Sequence, residues 1–185
     1  MIEFSHRGLP IDGMVAVTMK QVGDDRGTVR ELFRRSAFVE AGLAVPESFA
    51  QINVTESNRG VVRGMHAEAM TKLVAVVAGA AFGVYVDLRP ESPTAGATTT
   101  VELVPGTQVL VPAGVGNGFQ ALADATQYAY CFDVEWQPGM AGQACTPLDP
   151  ALGFDWPIAI DADDTAQLSA KDRSAPTLAD VLERT

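Results

Sequence analysis

Residues 72–89 read KLVAVVAGAAFGVYVDLR, and this stretch decides the class of fold. Its first part, KLVAVVAG, is an almost continuous apolar run, which is typical of a strand buried on both faces. Its second part, FGVYVDL, alternates in character and is typical of a strand that faces two environments. The stretch therefore predicts two consecutive strands separated by turn residues.

Runs of the same kind continue through residues 50–135. They are FAQINV, KLVAVVAG, AAFGVYVDLR, TTTVELV, TQVLVPAG, FQAL and TQYAYCFDVEW. Val, Thr, Tyr and Phe are enriched in these runs, and Gly, Pro and Asn punctuate them at intervals of about ten residues. The pattern predicts an all-β protein whose antiparallel strands pack as a sandwich or barrel.

Helix is predicted only in short peripheral pieces. RRSAFVEAGL has Ser36 in an N-cap position and Gly42 just past its end, and TLADVLERT forms a terminal helix behind Pro176. Residues 137–165 are rich in Pro, Gly and Asp without periodicity, which indicates an ordered loop that wraps the barrel.

The length of 185 residues suits one domain with a full hydrophobic core. We expect N-terminal strands and a short helix over residues 1–45 and a barrel core over residues 48–136. A wrapping loop and a C-terminal helix are expected over residues 137–185.

Composition excludes several classes of protein. A formal charge of −10 and a pI near 4.5 oppose non-specific nucleic-acid binding, which needs a cationic surface. No apolar run is long enough to span a bilayer, and MIEFSHRGLPIDG lacks the pattern of a secretory signal, so a cytoplasmic protein is expected. Cys131 and Cys145 stand apart, and we interpret both as reduced and structural.

Two histidines, His6 and His66, limit the chemistry of metals. A three-histidine site within one chain is excluded, and carboxylates alone make a weak zinc site, so no metal is predicted. GxGxxG, GxxxxGK[ST] and GxSxG are all absent, which argues against dinucleotide, P-loop and serine-hydrolase functions. Acid–base chemistry remains, with His66 as candidate base, Tyr130 as candidate acid and Lys72 as a cation.

Several segments, in order, resemble the dTDP-4-dehydrorhamnose 3,5-epimerase family of deoxysugar-nucleotide biosynthesis. They are DDRGTVRELF, QIN, VVRGMH, KLVAVVAGAAFGVYVDLRPESPTAG, VPAGVGNGFQAL, DPALGFDWPI and LSAKDRSAP. The resemblance extends from about Gly13 to Pro176. It implies a cupin-type jelly-roll barrel with short peripheral helices, no cofactor and a homodimer with strand exchange.

Four catalytic residues follow from this resemblance. His66 of RGMH looks like the base, and Asp172 of LSAKD looks like the carboxylate that orients it. Lys72 is matched through the KLV that begins with it, and it would stabilise an enolate oxygen. Tyr130 looks like the acid on the opposite face of the sugar, because its six-residue spacing to Trp136 fits the family better than that of Tyr128.

The resemblance also implies a set of substrate-binding residues. They are Arg26, Glu31, Gln51, Asn53, Arg63, Asn117, Trp136 and Lys171. The two arginines match diphosphate ligands, for which the guanidinium fork is well suited. Arg26 and Glu31 are candidates to act across the dimer interface.

The chain departs from the family pattern in three places. Asn117 stands where the family commonly has a histidine, and asparagine does not titrate. The loop between His66 and Lys72 is shorter than usual, and Ala141 stands near an expected glutamate. These departures alter the pocket wall and leave the product range open.

The expected activity is conversion of dTDP-4-dehydro-6-deoxy-D-glucose to dTDP-4-dehydro-L-rhamnose through an enolate, without metal or nicotinamide. One alternative is a ketoisomerase, or an epimerase that acts at C3 or C5 alone, on the same kind of sugar. Another alternative is a non-catalytic module that binds sugar nucleotides.

Overall fold

The computed structural model describes residues 1–183, and within them thirteen strands, three α-helices and one 3-10 helix are formed. The strands are β1 (Ser5–Gly8), β2 (Val15–Thr18), β3 (Gln21–Asp24), β4 (Gly27–Arg30), β5 (Gln51–Ser57), β6 (Val62–Glu68), β7 (Lys72–Ala78), β8 (Ala81–Asp87), β9 (Thr98–Leu103), β10 (Thr107–Val111), β11 (Val115–Ala121), β12 (Thr126–Phe132) and β13 (Gly142–Ala144). The helices are α1 (Arg35–Glu40), α2 (Ala170–Arg173), α3 (Leu178–Glu183) and the 3-10 helix Pro150–Leu152.

Two antiparallel sheets form the body of the molecule. One has the strand order β1-β2-β10-β7-β12-β5 and the other has the order β13-β6-β11-β8-β9, while β3 and β4 form a separate hairpin. Consecutive strands such as β6 and β7 lie in different sheets. The all-β prediction is confirmed, and the architecture is a cupin-type jelly roll.

Each sheet buries apolar residues on both of its faces, although Ile52 and Val54 on the outer face of β5 are exposed. Their inner faces meet in a core to which β7 contributes Val74 and β8 contributes Tyr85. The outer face of the six-stranded sheet packs Leu73 against Phe38 of α1. The outer face of the five-stranded sheet packs Val84 against residues that follow β13. Burial of β7 on both faces, as predicted, holds for residues 72–76.

The structure differs from the sequence prediction at the start of α1. Arg34 is the extended residue before α1, and Ser36 lies inside the helix, so the prediction of Ser36 as N-cap was wrong. A residue in helical conformation cannot take the extended cap geometry. Gly42 does follow the helix end with a φ of 73°. The terminal helix is confirmed up to its last described residue, and positions 184–185 lie outside the described part of the chain.

The segment predicted as a loop over residues 137–165 contains two regular elements. Strand β13 pairs with β6, and a 3-10 helix follows it. The strand has three residues, which is too short to produce a periodic pattern. Cys131 and Cys145 are buried free thiols. None of the helices in residues 1–183 has the length and apolar character to cross a membrane.

A buried carboxylate fastens the loop after β8. Asp87 is 0% exposed, and its oxygens accept hydrogen bonds from Arg89 Nε at 2.8 Å, Ser92 Oγ at 2.6 Å and Thr94 Oγ1 at 2.7 Å. Burial alone would raise the pKa of Asp87, but these hydrogen bonds outweigh it and lower the pKa to about 2. The carboxylate therefore stabilises the fold by about 2 kcal/mol at neutral pH.

We expect Asp87→Asn to lower the free energy of unfolding by about 2 kcal/mol at pH 7. Because the folded-state pKa lies below that of the unfolded chain, this stabilisation is complete above about pH 4 and is lost as the pH falls through about 2. Urea denaturation across this range measures the difference between wild type and variant. The exposed Asp155→Asn is the control, and a difference that does not change with pH would contradict the expectation.

Candidate active site

A cavity of about 820 Å³ lies against strands β5, β6, β7, β11 and β12 and the segment that leads into α2. Nine of the twelve residues predicted from the sequence line it. They are Asn53, Arg63, His66, Lys72, Asn117, Tyr130, Trp136, Lys171 and Asp172. The cavity therefore gathers all four candidate catalytic residues in one place.

A bulge in β6 brings two of these side chains to the same side of the strand. On β11, Asn117 and Phe119 are two residues apart, but their partners His66 and Arg63 on β6 are three apart. In a regular strand, residues three apart point to opposite faces. The additional residue at the bulge shifts the alternation of faces by one, so Arg63 and His66 both line the cavity.

Gly64 is required at this bulge. Its φ is 119°, in a region that side chains of L-residues avoid, and a Cβ there would lie 2.5 Å from the Cα of Gly118. The same Cβ would lie 2.7 Å from the carbonyl oxygen of Asn117. The glycine of RGMH thus permits the close approach of β6 and β11 that sets the position of His66.

His66 and Asp172 form a hydrogen-bonded pair. His66 Nε2 lies 2.7 Å from Asp172 Oδ1, and the aspartate side chain is 8% exposed. Ser169 caps α2 by accepting a hydrogen bond from the Asp172 amide, which fixes the aspartate in the first turn. The backbone N–H of Gly64 also donates to Asp172 Oδ2 at 3.4 Å. This pairing leaves Nδ1 as the imidazole nitrogen available to a ligand.

The charge state of this pair suits a general base. Burial would raise the pKa of Asp172, but the hydrogen bond and charge of His66, together with the Gly64 amide, lower it below its usual value. A carboxylate that stays ionised holds the proton of the neutral imidazole on Nε2 and stabilises the imidazolium once Nδ1 has accepted a proton. The pair is therefore equipped to remove a proton from a ligand.

Tyr130, and not its neighbour Tyr128, reaches the cavity. Tyr128 is 0% exposed, stacks on Phe119 with ring centroids 4.1 Å apart, and accepts a hydrogen bond from Asn117 Nδ2 at 3.2 Å. Burial raises the pKa of Tyr130, and the nearby Tyr128 raises it further. The phenol of Tyr130 therefore remains protonated at neutral pH and is able to donate a proton.

A polar wall continues from the candidate catalytic residues along β5. Arg63 Nε donates to Ser57 Oγ at 3.1 Å. Gln51 does not line the cavity, but its amide donates to Asn53 Oδ1 at 3.0 Å and its oxygen accepts from the Trp136 amide at 2.8 Å. Gln51 thus supports two residues of the wall instead of forming part of it.

Arg26 and Glu31 lie away from this cavity. Arg26 is at the turn between β3 and β4, where its side chain is 90% exposed and paired with Asp24 at 2.5 Å. Glu31 pairs with Arg34 at the start of the segment that leads into α1. Within one chain, neither residue is part of the pocket wall.

Glu68 is the main residue of the cavity that the sequence analysis missed. It lies two residues after His66, on the same strand face, and strand alternation provides a signal by which it could have been found. Further polar residues that the sequence did not single out also line the cavity, and Thr55 and Ser57 among them alternate with Asn53 along β5. They are Thr55, Glu56, Ser57, Asn58, Thr165, Gln167 and Ser169. Within residues 1–183, no three His, Cys, Asp or Glu side chains cluster as metal ligands.

Comparison with known proteins gives consistent matches along the chain. The family model for dTDP-4-dehydrorhamnose 3,5-epimerase matches residues 8–180. A dTDP-4-dehydrorhamnose 3,5-epimerase of Pseudomonas aeruginosa is 36% identical over 93% of this chain and 94% of its own length. A dTDP-4-dehydrorhamnose 3-epimerase of Streptomyces niveus is also 36% identical, over 94% of this chain and 84% of its own length.

Solved structures are similar over nearly the full chain. NovW, a 4-keto-6-deoxy sugar epimerase of the novobiocin cluster of Streptomyces spheroides, superposes with a TM-score of 0.88 at 34% identity and covers 99% of this chain and 92% of its own. RmlC of Legionella pneumophila, in complex with dTDP-4-keto-L-rhamnose, has a TM-score of 0.85 at 33% identity and covers 97% of each chain.

We expect Gly64→Ala to lower the free energy of unfolding by about 3 kcal/mol or more, because the added Cβ meets the β11 backbone in a disfavoured conformation. Thermal and urea unfolding measure the loss. Gly8→Ala is the matched control, since a Cβ at Gly8 meets no atom within 4 Å. Equal stability of the two variants would show that the approach of β6 to β11 is not tight.

Proposed function

Because this chain belongs to the dTDP-4-dehydrorhamnose 3,5-epimerase family, a family of isomerases, we propose that it converts dTDP-4-dehydro-6-deoxy-D-glucose to dTDP-4-dehydro-L-rhamnose. The observation that carries the proposal is the hydrogen-bonded pair of His66 and Asp172, which shares one cavity with Lys72 and Tyr130. A base, its orienting carboxylate, a cation and an acid are the groups that such an epimerisation needs.

Proton removal is assigned to His66. The C4 ketone of the sugar acidifies the hydrogens at C3 and C5, and Nδ1 of the neutral imidazole accepts one of them. Asp172 stabilises the resulting imidazolium through its bond to Nε2. The electrons of the broken C–H bond move to the C4 oxygen, which becomes an enolate.

Stabilisation of the enolate oxygen is assigned to Lys72. An ammonium aimed at a developing oxyanion in a cavity shielded from water commonly lowers a barrier by about 3 to 4 kcal/mol. Tyr130 then returns a proton to the opposite face of the same carbon, which inverts its configuration. The high pKa of the buried phenol keeps that proton available at neutral pH.

Binding of the nucleotide is assigned to the polar wall of the cavity. Arg63 provides a guanidinium for the diphosphate, and Asn53 and Lys171 line the same cavity. Trp136 is 48% exposed at the rim of the cavity, as expected of a surface for stacking a base. We assign Asn117, which stands where a histidine is common, to the sugar pocket.

A homodimer with strand exchange completes the proposal. Arg26 and Glu31 do not line the cavity of their own chain, and the hairpin of β3 and β4 that leads to them is largely exposed. In a dimer, the hairpin of one protomer would supply these residues to the cavity of its partner. The cytoplasm is the proposed location of the enzyme.

A second candidate is epimerisation at C3 alone. It is favoured by the relative of Streptomyces niveus, which is named a 3-epimerase and is as similar to this chain as the 3,5-epimerase of Pseudomonas aeruginosa. The NMR spectrum of the product separates the two activities, because inversion at C5 converts the D-sugar to an L-sugar.

We expect incubation with the 4-keto substrate in deuterated water to place deuterium at both C3 and C5, and His66→Ala to abolish exchange at both carbons. Mass spectrometry and NMR of the recovered sugar measure the deuterium at each carbon. The variant should still bind dTDP, and His6→Ala, which changes the exposed second histidine, should exchange normally. The absence of exchange in the wild type would refute the epimerase and favour a non-catalytic binding module.

Asp172→Asn should slow exchange by about 100-fold or more, because an amide can donate to Nε2 and so favours the wrong tautomer of His66. The initial rate of deuterium incorporation at pH 7 measures the loss. Binding of dTDP should remain within a few-fold of the wild type, and an unchanged exchange rate would show that the aspartate does not orient the base.

A further inference from the structure

Lys72 makes a contact with a residue that has no role in the mechanism above. Its ammonium is paired with the carboxylate of Glu68, and it also donates to the carbonyl oxygen of His66 at 3.1 Å. Lys72 is 4% exposed, while the Glu68 side chain is 22% exposed and lines the same cavity. The candidate cation is therefore held by the strand that carries the candidate base.

The turn that joins these residues is fixed on both sides. Residues 69–71 lead from β6 in one sheet to β7 in the other. The Glu68 carbonyl accepts from the Gly114 amide at 3.1 Å, and the Thr71 amide donates to Asp133 Oδ1 at 3.0 Å. The short turn between Glu68 and Lys72 is thus held by a hydrogen bond at each of its ends.

We propose that Glu68 is a positioning residue that orients the ammonium group of Lys72 toward the C4 oxygen of the sugar. An ammonium has three N–H donors and no acceptor. Glu68 and the His66 carbonyl take two of the donors, which leaves one for the oxygen of a ligand. The inference rests on the proposed function, since it concerns the oxygen that becomes the enolate.

Glu68 has a second effect, which is electrostatic. Burial lowers the pKa of Lys72 from its usual value, and the charge and hydrogen bond of Glu68 oppose this change. Other charged or titratable groups line the same cavity, from β5, β6, β12 and the α2 region. They are Glu56, Arg63, His66, Tyr130, Lys171 and Asp172. The residues that pair with Lys72 in the sheet, Val111 and Phe132, carry no charge.

A lysine that loses its proton cannot stabilise an enolate. Replacing the carboxylate by an amide removes the charge that keeps the buried ammonium protonated, and a nearby opposite charge commonly changes a pKa by about one to three units. Without Glu68, Lys72 should therefore deprotonate at a lower pH. The acid limb of the activity profile, which does not depend on loss of the Lys72 proton, should not move.

The first test is the pH dependence of kcat for deuterium exchange. In Glu68→Gln the alkaline limb should move to lower pH by about one unit or more, with the acid limb in place. Glu68→Asp, which keeps the charge on a shorter side chain, should retain the position of the alkaline limb at a reduced kcat. Glu91→Gln removes one exposed carboxylate outside the cavity and should match the wild type.

The second test needs no substrate. The chain has three lysines, Lys20, Lys72 and Lys171, so 13C-labelled lysine gives few Cε signals, and Lys72→Gln identifies that of Lys72. Its titration midpoint should fall by about one unit or more in Glu68→Gln. Lys20, which pairs with Glu3 outside the cavity, is the internal reference.

The outcomes separate this inference from the proposed function. If the wild type exchanges deuterium but the profile of Glu68→Gln falls evenly at every pH, or does not change, Glu68 does not position Lys72. An unchanged Lys72 midpoint in Glu68→Gln overturns the inference in the same way. If the wild type does not exchange, the proposed function fails, while the titration still decides whether Glu68 controls the lysine.

Discussion

The bulge at Gly64 is the constraint on which the site depends. A regular strand would place Arg63 and His66 on opposite faces, and only one of them would reach the cavity. The extra residue in β6 brings both to the same side, and the close approach to Gly118 leaves no space for any side chain at position 64. The strand thereby presents a guanidinium and an imidazole to the same cavity.

The second requirement is that the outer face of the five-stranded sheet is largely apolar. The five-stranded sheet buries its outer face under residues that follow β13, with Leu152 and Val181 among them. The segment that covers this face also contains α2, which places Asp172 within hydrogen-bond distance of His66. Hydrophobic burial therefore brings together two residues that are 106 positions apart in the sequence.

Charge in the cavity is balanced locally although the chain as a whole is acidic. The formal charge is −10, but four of the side chains that line the cavity are basic. They are Arg63, His66, Lys72 and Lys171. Asp172 contacts His66 and Glu68 contacts Lys72, so each of these two basic side chains has a carboxylate partner. In the proposed function, this arrangement lets the cavity bind an anionic nucleotide while carboxylates hold His66 and Lys72 in place.

Sequence alone determined the class of fold and fewer than half of the residues that line the cavity. The periods of the apolar runs record which faces of a strand are buried, so β7 and β8 were predictable, and the ordered motifs identified nine residues that line the cavity. The N-cap of α1 was predicted wrongly, because a cap depends on a single residue. Strand β13 was missed, because three residues are too few to give a periodic pattern.

Only the tertiary structure decided the contacts between elements. Such contacts include the Glu68–Lys72 pair, the bulge that aligns Arg63 with His66, and the position of Arg26 away from the cavity, and all three arise from how separate strands pair and pack. Local sequence records the environment of each face of an element. It does not record the distance between side chains on different elements, because packing of the whole chain fixes that distance.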